Sequence, residues 1–291
     1  MDVALVTCAA LPGLHGDDRH LLHALRAAGL DAQPVVWKNA HEDWGAMRLA
    51  VVRSAWDYAF RREQFLAWAD RAAARTTLWN SARIVRWNTH KRYLCDLAER
   101  GVPVVPTVVL PAGSRVSLET LLEERGWEDA VVKAAVAQSG RYAMAVPRAR
   151  RAAGQAHLDR LLPAEDMLVQ PHVASVATTG ELSLVFVDGR CTHAVRKRAA
   201  AGDFRVHDDY GGSVAPEEPD EAALAVARAA IAAAGEPLHY ARVDLVAGAA
   251  GEPMIMEFEL VEPELFLRFA PQAVAAFARS IEGALSGSGH T

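Results

Sequence analysis

The chain has 291 residues, 51% of them hydrophobic and 23% charged, with a formal net charge of -5. That length accommodates two domains or three small ones. The acidic balance argues against nucleic acid as the main partner. The basic run Arg148–Arg151 is local, with Glu165 and Asp166 soon after. Cys8, Cys95 and Cys191 form neither a CxxC pair nor an even framework, as expected in a reducing, cytoplasmic setting. No apolar run approaches the roughly 20 residues of a membrane helix, and the N-terminus lacks a basic signal region.

In chain order, Val3–Thr7 reads as a strand, and Leu11–Gly16 as a loop. Asp17 or Asp18 can cap a helix that Gly29 stops. Strands at Val35–Trp37, Leu49–Arg53 and Thr77–Trp79, with a helix near Glu63–Ala74, give a βαβ rhythm and hence a small parallel sheet with helices on both sides. Ligands of such sheets bind beyond the carboxyl ends of the strands. That makes Arg53, Trp56, Asp57 and Tyr58 a candidate substrate-facing loop.

A single helix is expected over 89–100, with Lys91 in its first turn, where the macrodipole disfavours a cation that has no anion to reach. Ser117 can cap a short helix. Ala130–Ala134 is an apolar strand carrying Lys133, a charge that needs an anion once buried. Gln138–Tyr142 is a small turn whose amides, at Ser139 and Gly140, could cover a phosphate. Met167–Val173 is a strand with Pro171 at an edge or an exit. Asp188–Gly189 marks a hairpin. Residues 199–219 read as a long functional loop, Glu221–Ala234 and Pro271–Leu285 as helices.

The late strands carry the most chemistry. Tyr240–Ala247 and Met254–Val261 both alternate. With Gly248–Pro253 as the loop, Ala247 faces Met254, Asp244 lies opposite Glu257, and Arg242 opposite Glu259. Opposite residues share one face about 5 Å apart. Val243, Leu245, Met254, Met256, Phe258 and Leu260 then point to a core. Three acids so close repel unless a cation lies between them, and hard oxygens suit Mg²⁺.

Two lysines, a small-residue turn, a strand leading to a proline and paired late acids resemble the ATP-grasp superfamily over about Asn88 to Leu265. The matching segments are Asn88–Lys91, Val131–Lys133, Ser139–Gly140, Leu168–Val173, Gly180–Ser183, Arg196, Asp203–Arg205, Gly211–Gly212, Arg242–Asp244 and Glu257–Glu259. The resemblance implies an α/β ATP-grasp fold: an N-terminal parallel α/β domain (1–88), a central lid (89–169) and a C-terminal subdomain with the metal site (170–291). It implies ATP and Mg²⁺, with Lys91, Lys133, Ser139 and Gly140 on phosphate and Gln170, Pro171, His172 and Val173 as the adenine hinge. Glu181 is also placed at the nucleotide. Asp244, Glu257 and Glu259 become metal ligands, the last replacing the usual Asn. Arg242, Lys133 and Arg205 are the catalytic cations.

Val51–Tyr58, Leu78–Ser81, Trp87–Lys91 and Met256–Leu267 look most like the D-cycloserine-forming O-ureido-D-serine cyclo-ligases. That branch implies activation of a small amino-acid carboxylate as an acylphosphate, then ring closure by an internal nitrogen. Arg53, Trp56, Asp57 and Tyr58 would frame the zwitterion. An intermolecular carboxylate–amine ligase and a non-catalytic ATP-binding module are the alternatives. The expected partner is a small amino-acid-like substrate, compatible with a homodimer.

Overall fold

Leu5 and Val51 pack toward one side of a sheet and Val6 and Val52 toward the other, and this double burial forces the N-terminal strands into a parallel arrangement covered on both faces. The computed structural model describes residues 1–138, 140–200 and 211–287. Strands β1 (Val3–Thr7), β2 (Ala32–Val36), β3 (Leu49–Ser54) and β4 (Thr77–Trp79) form a parallel sheet in the order β2-β1-β3-β4. Helix α1 (Arg19–Ala27) covers one face and α2 (Arg62–Ala73) the other. Neither acid caps α1. Asp18 turns its carboxylate to Arg53 and Ser54, and Asp17 accepts from the amides of Leu267 and Arg268.

The helix expected over 89–100 begins only at Tyr93, as α4 (Tyr93–Glu99), and a separate helix that was not expected, α3 (Ala82–Asn88), precedes it across a turn. The donors and acceptors of the intervening turn serve tertiary partners instead of a helix ladder. The Asn88 amide donates to Phe258 O and its oxygen accepts from Leu260 N, while Lys91 N donates to Ala135 O at 2.8 Å.

A second, antiparallel sheet contains β5 (Val108–Leu110), β6 (Ala130–Ala134), β7 (Met144–Val146) and β8 (Met167–Pro171), in the order β5-β8-β6-β7. Helices α5 (Leu118–Arg125) and α6 (Arg151–Leu161) cover it, and Ser117 caps α5 as expected. Pro171 marks the exit of a central strand rather than an edge.

The third sheet, order β11-β10-β9-β12-β13, is antiparallel. After the single turn α7 (Ser175–Thr178) come β9 (Glu181–Val187), β10 (Arg190–Arg198), β11 (Ser213–Pro216), α8 (Glu221–Ala233), β12 (Tyr240–Ala247), β13 (Pro253–Glu259) and α9 (Pro271–Gly287). Asp188 and Gly189 join β9 to β10 with φ of 47° and 72°, a pair of left-handed residues that matches strand twist. β11 falls within the stretch expected to be all loop, because Val195 to Arg198 offer it an open edge.

Asp244 does lie opposite Glu257 and Arg242 opposite Glu259. Beyond them the register shifts by one, so Ala247 faces Pro253 instead of Met254. Met256 is the extra residue of a bulge. Its cause lies outside the hairpin: Ile255 exchanges backbone bonds with Pro103 and Val105, at 2.9 Å each. Ile255 consequently enters the core, while Met254 and Met256, expected there, stay half-buried.

Candidate functional site

Along one face of the third sheet the side chains change character midway. Val187, Val185, Val195 and Tyr240 join an apolar core with α1 and α9. Further along the same face stand Glu181, Ser183, Lys197, Arg242 and Asp244, with Glu257 and Glu259 on β13. These polar groups meet in two strings of alternating charge.

In the outer string, Glu257 takes Lys91 Nζ on one oxygen at 2.9 Å and Lys133 Nζ on the other at 3.0 Å. Lys133 comes from β6 and Lys91 from the turn before α4, so three separate units converge on one carboxylate. Burial opposes its ionisation, but the two ammonium groups outweigh burial and hold the carboxyl well below its usual range. Burial also works against charge on both lysines; Glu257 prevails at Lys91, whose pKa rises, whereas the additional like charge of Lys91 leaves that of Lys133 lowered.

The inner string runs Glu181–Lys197–Asp244–Arg242–Glu259. Lys197 pairs closely with Glu181 and lies 3.3 Å from Asp244. Arg242 grips Asp244 through Nε and Nη2 at 2.9 and 3.0 Å, reaches Glu259 at 2.7 Å, and donates from Nη1 to Glu264 O. Ser183 Oγ adds a 2.6 Å bond to Asp244. Burial pushes Glu181 up to about 7 even though Lys197 pulls the other way. At Asp244 burial is outweighed by Arg242 and Lys197, giving about 2.

Above these strings lies an open cleft of about 1130 Å³ counted out to its mouth. Its walls include Lys91, Lys133, Gly140, Glu181, Glu257 and Glu259, together with the hinge Gln170–Val173. At the hinge, His172 N already donates to Asp129 O and Val173 O accepts from Val176 N. Ser139 and Arg205 lie outside the described residues. Arg242 and Asp244 sit behind the wall, at 6% and 2% exposure.

The expected substrate loop divides. Tyr58 lines the cleft, and Trp56 donates from Nε1 to Glu262 O at 3.0 Å. Arg53 does not face the cleft: it is fully buried, paired with Asp18 and bonded to Pro263 O. Asp57 does not line the cleft either: it accepts from Trp37 Nε1 at 2.7 Å and pairs with Lys38. Both corrections share a cause: the strand end packs against the segment after β13 and against residues 37–38, contacts with no trace in local pattern.

Two charged residues of the site were not foreseen. Lys197 would have emerged had the second strand of the Asp188–Gly189 hairpin been followed two residues past Val195, where it pairs with Glu181; a register shift near Thr192 hides that pairing. Glu262, 6% exposed, lines the cleft after the hairpin ends, where alternation gives no direction.

The acids fit a hard divalent cation in chemistry but not as a preformed cage. Among the described residues no three His, Cys, Asp or Glu side chains form a metal-holding group. The repulsion expected among the acids is absent because lysine and arginine already lie between them. Of the strings' acids, Glu181, Glu257 and Glu259 line the cleft, while Asp244 lies behind it.

Residues 3–80 match the family described as D-cycloserine synthetase DcsG, N-terminal domain. The chain is similar to the cycloserine biosynthesis protein DcsG of Streptomyces lavendulae, 38% identical over 296 residues, covering 96% of this chain and 97% of that protein. The crystal structure of D-cycloserine synthetase DcsG superposes with a TM-score of 0.90 at 36% identity, covering 98% of this chain and all of that one, 100%. The ATP-grasp ligase PsnB, solved with a phosphomimetic variant of its minimal precursor, Mg and ADP, shares the fold at a TM-score of 0.68 and 15% identity, covering 97% and 98% of the two chains.

Proposed function

The chain belongs to the D-cycloserine synthetase branch of the ATP-grasp ligases, and from that premise we propose that it closes a ring within a small amino acid at the expense of ATP. It is an ATP-dependent ligase of the carboxylate–amine class. The observation that carries the site assignment is the convergence of Lys91 and Lys133 on Glu257, with Glu259 beside it. Four cations and four carboxylates are already matched there, so a nucleotide must exchange partners with them.

On this reading the ATP phosphates take Lys91 and Lys133. Glu257, Glu259 and the backing Asp244 are the residues that would hold Mg²⁺, whose chemistry is neutralisation of phosphate charge. The hinge 170–173 receives the adenine, and Gly140 belongs to the turn that covers the phosphates. The substrate carboxylate attacks the γ-phosphorus and ADP leaves. An internal nitrogen then attacks the acyl carbon, phosphate departs and the nitrogen gives up its proton; with O-ureido-D-serine, water must also remove the carbamoyl group that nitrogen carries, to leave the free ring. Arg242, held by Asp244 and Glu264 O behind the cleft wall, is kept as the cation for the oxyanion of that second step on the resemblance. Arg205 is kept as a further cation and Ser139 as a phosphate contact on the resemblance alone. Residues 1–88, 89–169 and 170–291 are the proposed units.

The test is ADP release with ATP and Mg²⁺, with O-ureido-D-serine and with a panel of other small amino acids, and mass spectrometry of the product. A single-substrate cyclic product supports the reading. A product joining two molecules transfers it to intermolecular ligation. Nucleotide binding without ADP release from any amino acid would leave only a regulatory module.

A further inference from the structure

The mechanism above gives Glu262 nothing to do, yet it is a buried acid with an unmatched oxygen. The residue is 6% exposed and lines the cleft. One carboxyl oxygen, Oε1, accepts from the Gln138 side-chain amide. The other, Oε2, is buried and has no hydrogen-bond partner. The Tyr58 phenol stands beside the carboxyl and interacts with it, but makes no full hydrogen bond to Oε2, and burial, then Glu259, holds the Glu262 pKa well above its usual range. Leaving a buried acceptor unmade costs roughly 1–3 kcal/mol, more for a charged group. Such a group is retained where something else completes it.

Its surroundings identify that completion. Glu262 follows Glu259 by three residues and lines the same cleft. Its own backbone oxygen is bonded by Trp56 and the next residue's by Arg53, which locks the carboxyl's position. Gln138 comes from the opposite side, in the turn after β6, and what it places on Glu262 is a carboxamide. A side chain from a separate unit that supplies N–H to one oxygen, while the second oxygen waits, is a surrogate for a ligand with more than one N–H.

We propose that Glu262 receives an N–H-bearing group of the amino-acid substrate and that the Gln138 amide stands in its place when the substrate is absent. This deepens the ligase reading and rests on it. The shared chemistry is multiple N–H donation, which an α-ammonium and a terminal carbamoyl amide both provide. Glu262 is thus a specificity-determining residue, and Gln138 a competitor that yields to substrate.

The experiment compares wild type, Glu262→Gln and Gln138→Ala in steady-state ADP release with O-ureido-D-serine, with D-cycloserine as a probe inhibitor. Glu262→Gln is expected to raise KM for the amino acid at least tenfold, with KM for ATP within twofold and Tm within a few degrees. Gln138→Ala is expected to lower the amino-acid KM severalfold. If the D-cycloserine inhibition constant rises in step in Glu262→Gln, the contact is the ammonium; if it is unchanged, the contact is the carbamoyl amide. An unchanged amino-acid KM in Glu262→Gln overturns the proposal alone. A fall in Tm with both KM values rising together also overturns it, since that is what a merely structural carboxyl would do. Wild-type enzyme that releases no ADP sinks the ligase reading first, and the proposal with it.

Discussion

Glu257 is a single carboxylate asked to neutralise two ammonium groups, and that makes its removal two-sided. Amidation in Glu257→Gln leaves Lys91 and Lys133 facing each other without an anion, at side-chain exposures of 12% and 11%. Breaking such a buried pairing costs about 3 kcal/mol. The variant is therefore expected to lose both turnover and melting temperature. Excess nucleotide should restore much of the stability, because phosphate replaces the missing carboxylate as partner to the lysines. Thermal unfolding with and without ADP checks this; a variant that is silent yet melts like wild type would remove Glu257 from the ion network. Asp244 gives the pH counterpart. Its folded pKa of about 2 lies below the ordinary 3.8, so its contribution is present above pH 3.8 and lost as pH falls toward 2. Asp244→Asn should cost about 2 kcal/mol near neutrality. The gap in Tm from wild type should close through that acid window, and a gap that stays constant down to pH 2 would contradict the assignment.

One clamp holds the acid-bearing strand. Asn88, 8% exposed, donates to Phe258 O at 2.7 Å and accepts from Leu260 N at 2.8 Å, while Tyr93 Oη accepts from Phe258 N at 3.1 Å. These bonds fall on the residues that flank Glu259, so they set where the β13 carboxylates point. Asn88→Ala orphans two buried backbone groups and is expected to cost about 2–3 kcal/mol. Because the strand end then loses its tether, ADP release should drop by more than the lost fraction folded. Activity measured well below Tm separates the two effects, and full activity there would refute the positioning role. The same strand shows what could be read in advance and what could not. Alternation placed Asp244 opposite Glu257 and Arg242 opposite Glu259, since both faces of that pair are specified by burial. The bulge at Met256 was illegible, because the bonds from Ile255 to Pro103 and Val105 span some 150 residues of sequence. The helix break at 89–92 was hidden for the same reason: nothing local announces that Lys91 N will bond Ala135 O. Charged side chains inside strands, Lys133 and Arg242, gave themselves away by the anions they require. Asp57 misled in the reverse sense, as its partners Trp37 and Lys38 come from the end of β2, two strands away in the sheet.

Across the molecule the cores are unequally shared. Val3, Leu5 and Val51 of the first sheet pack with Val185, Val187 and Tyr240 of the third and with Phe277 and Ile281 of α9, so those two parts share one apolar core. The middle sheet has a core of its own, built from β6, β7, β8, α5 and α6 with Leu110. It meets the rest largely through polar and aromatic contacts: Lys133 on Glu257, His90 on Asp166, Gln138 on Glu262, and Arg141 against Phe60. The last of these is built as a latch. Phe60 is 69% exposed, with its ring 5.1 Å from the Arg141 guanidinium, which also lies 4.2 Å from Tyr142 and bonds Glu165 at 2.5 Å. So exposed a phenylalanine contributes little to folding, whereas a surface cation–π contact contributes about 0.5–1 kcal/mol. Phe60→Ala should therefore leave Tm within about a degree and raise KM for ATP about two- to fivefold, the equivalent of that contact, as the middle sheet closes less completely over the nucleotide. The kcat should change little, because none of the groups proposed to bind phosphate is touched. Arg141→Ala removes the same contact from the other side, so the Phe60→Ala, Arg141→Ala double variant should show no further rise beyond the larger single effect. Additive rises would mean that the two residues act on nucleotide binding by separate routes and that the latch does not exist.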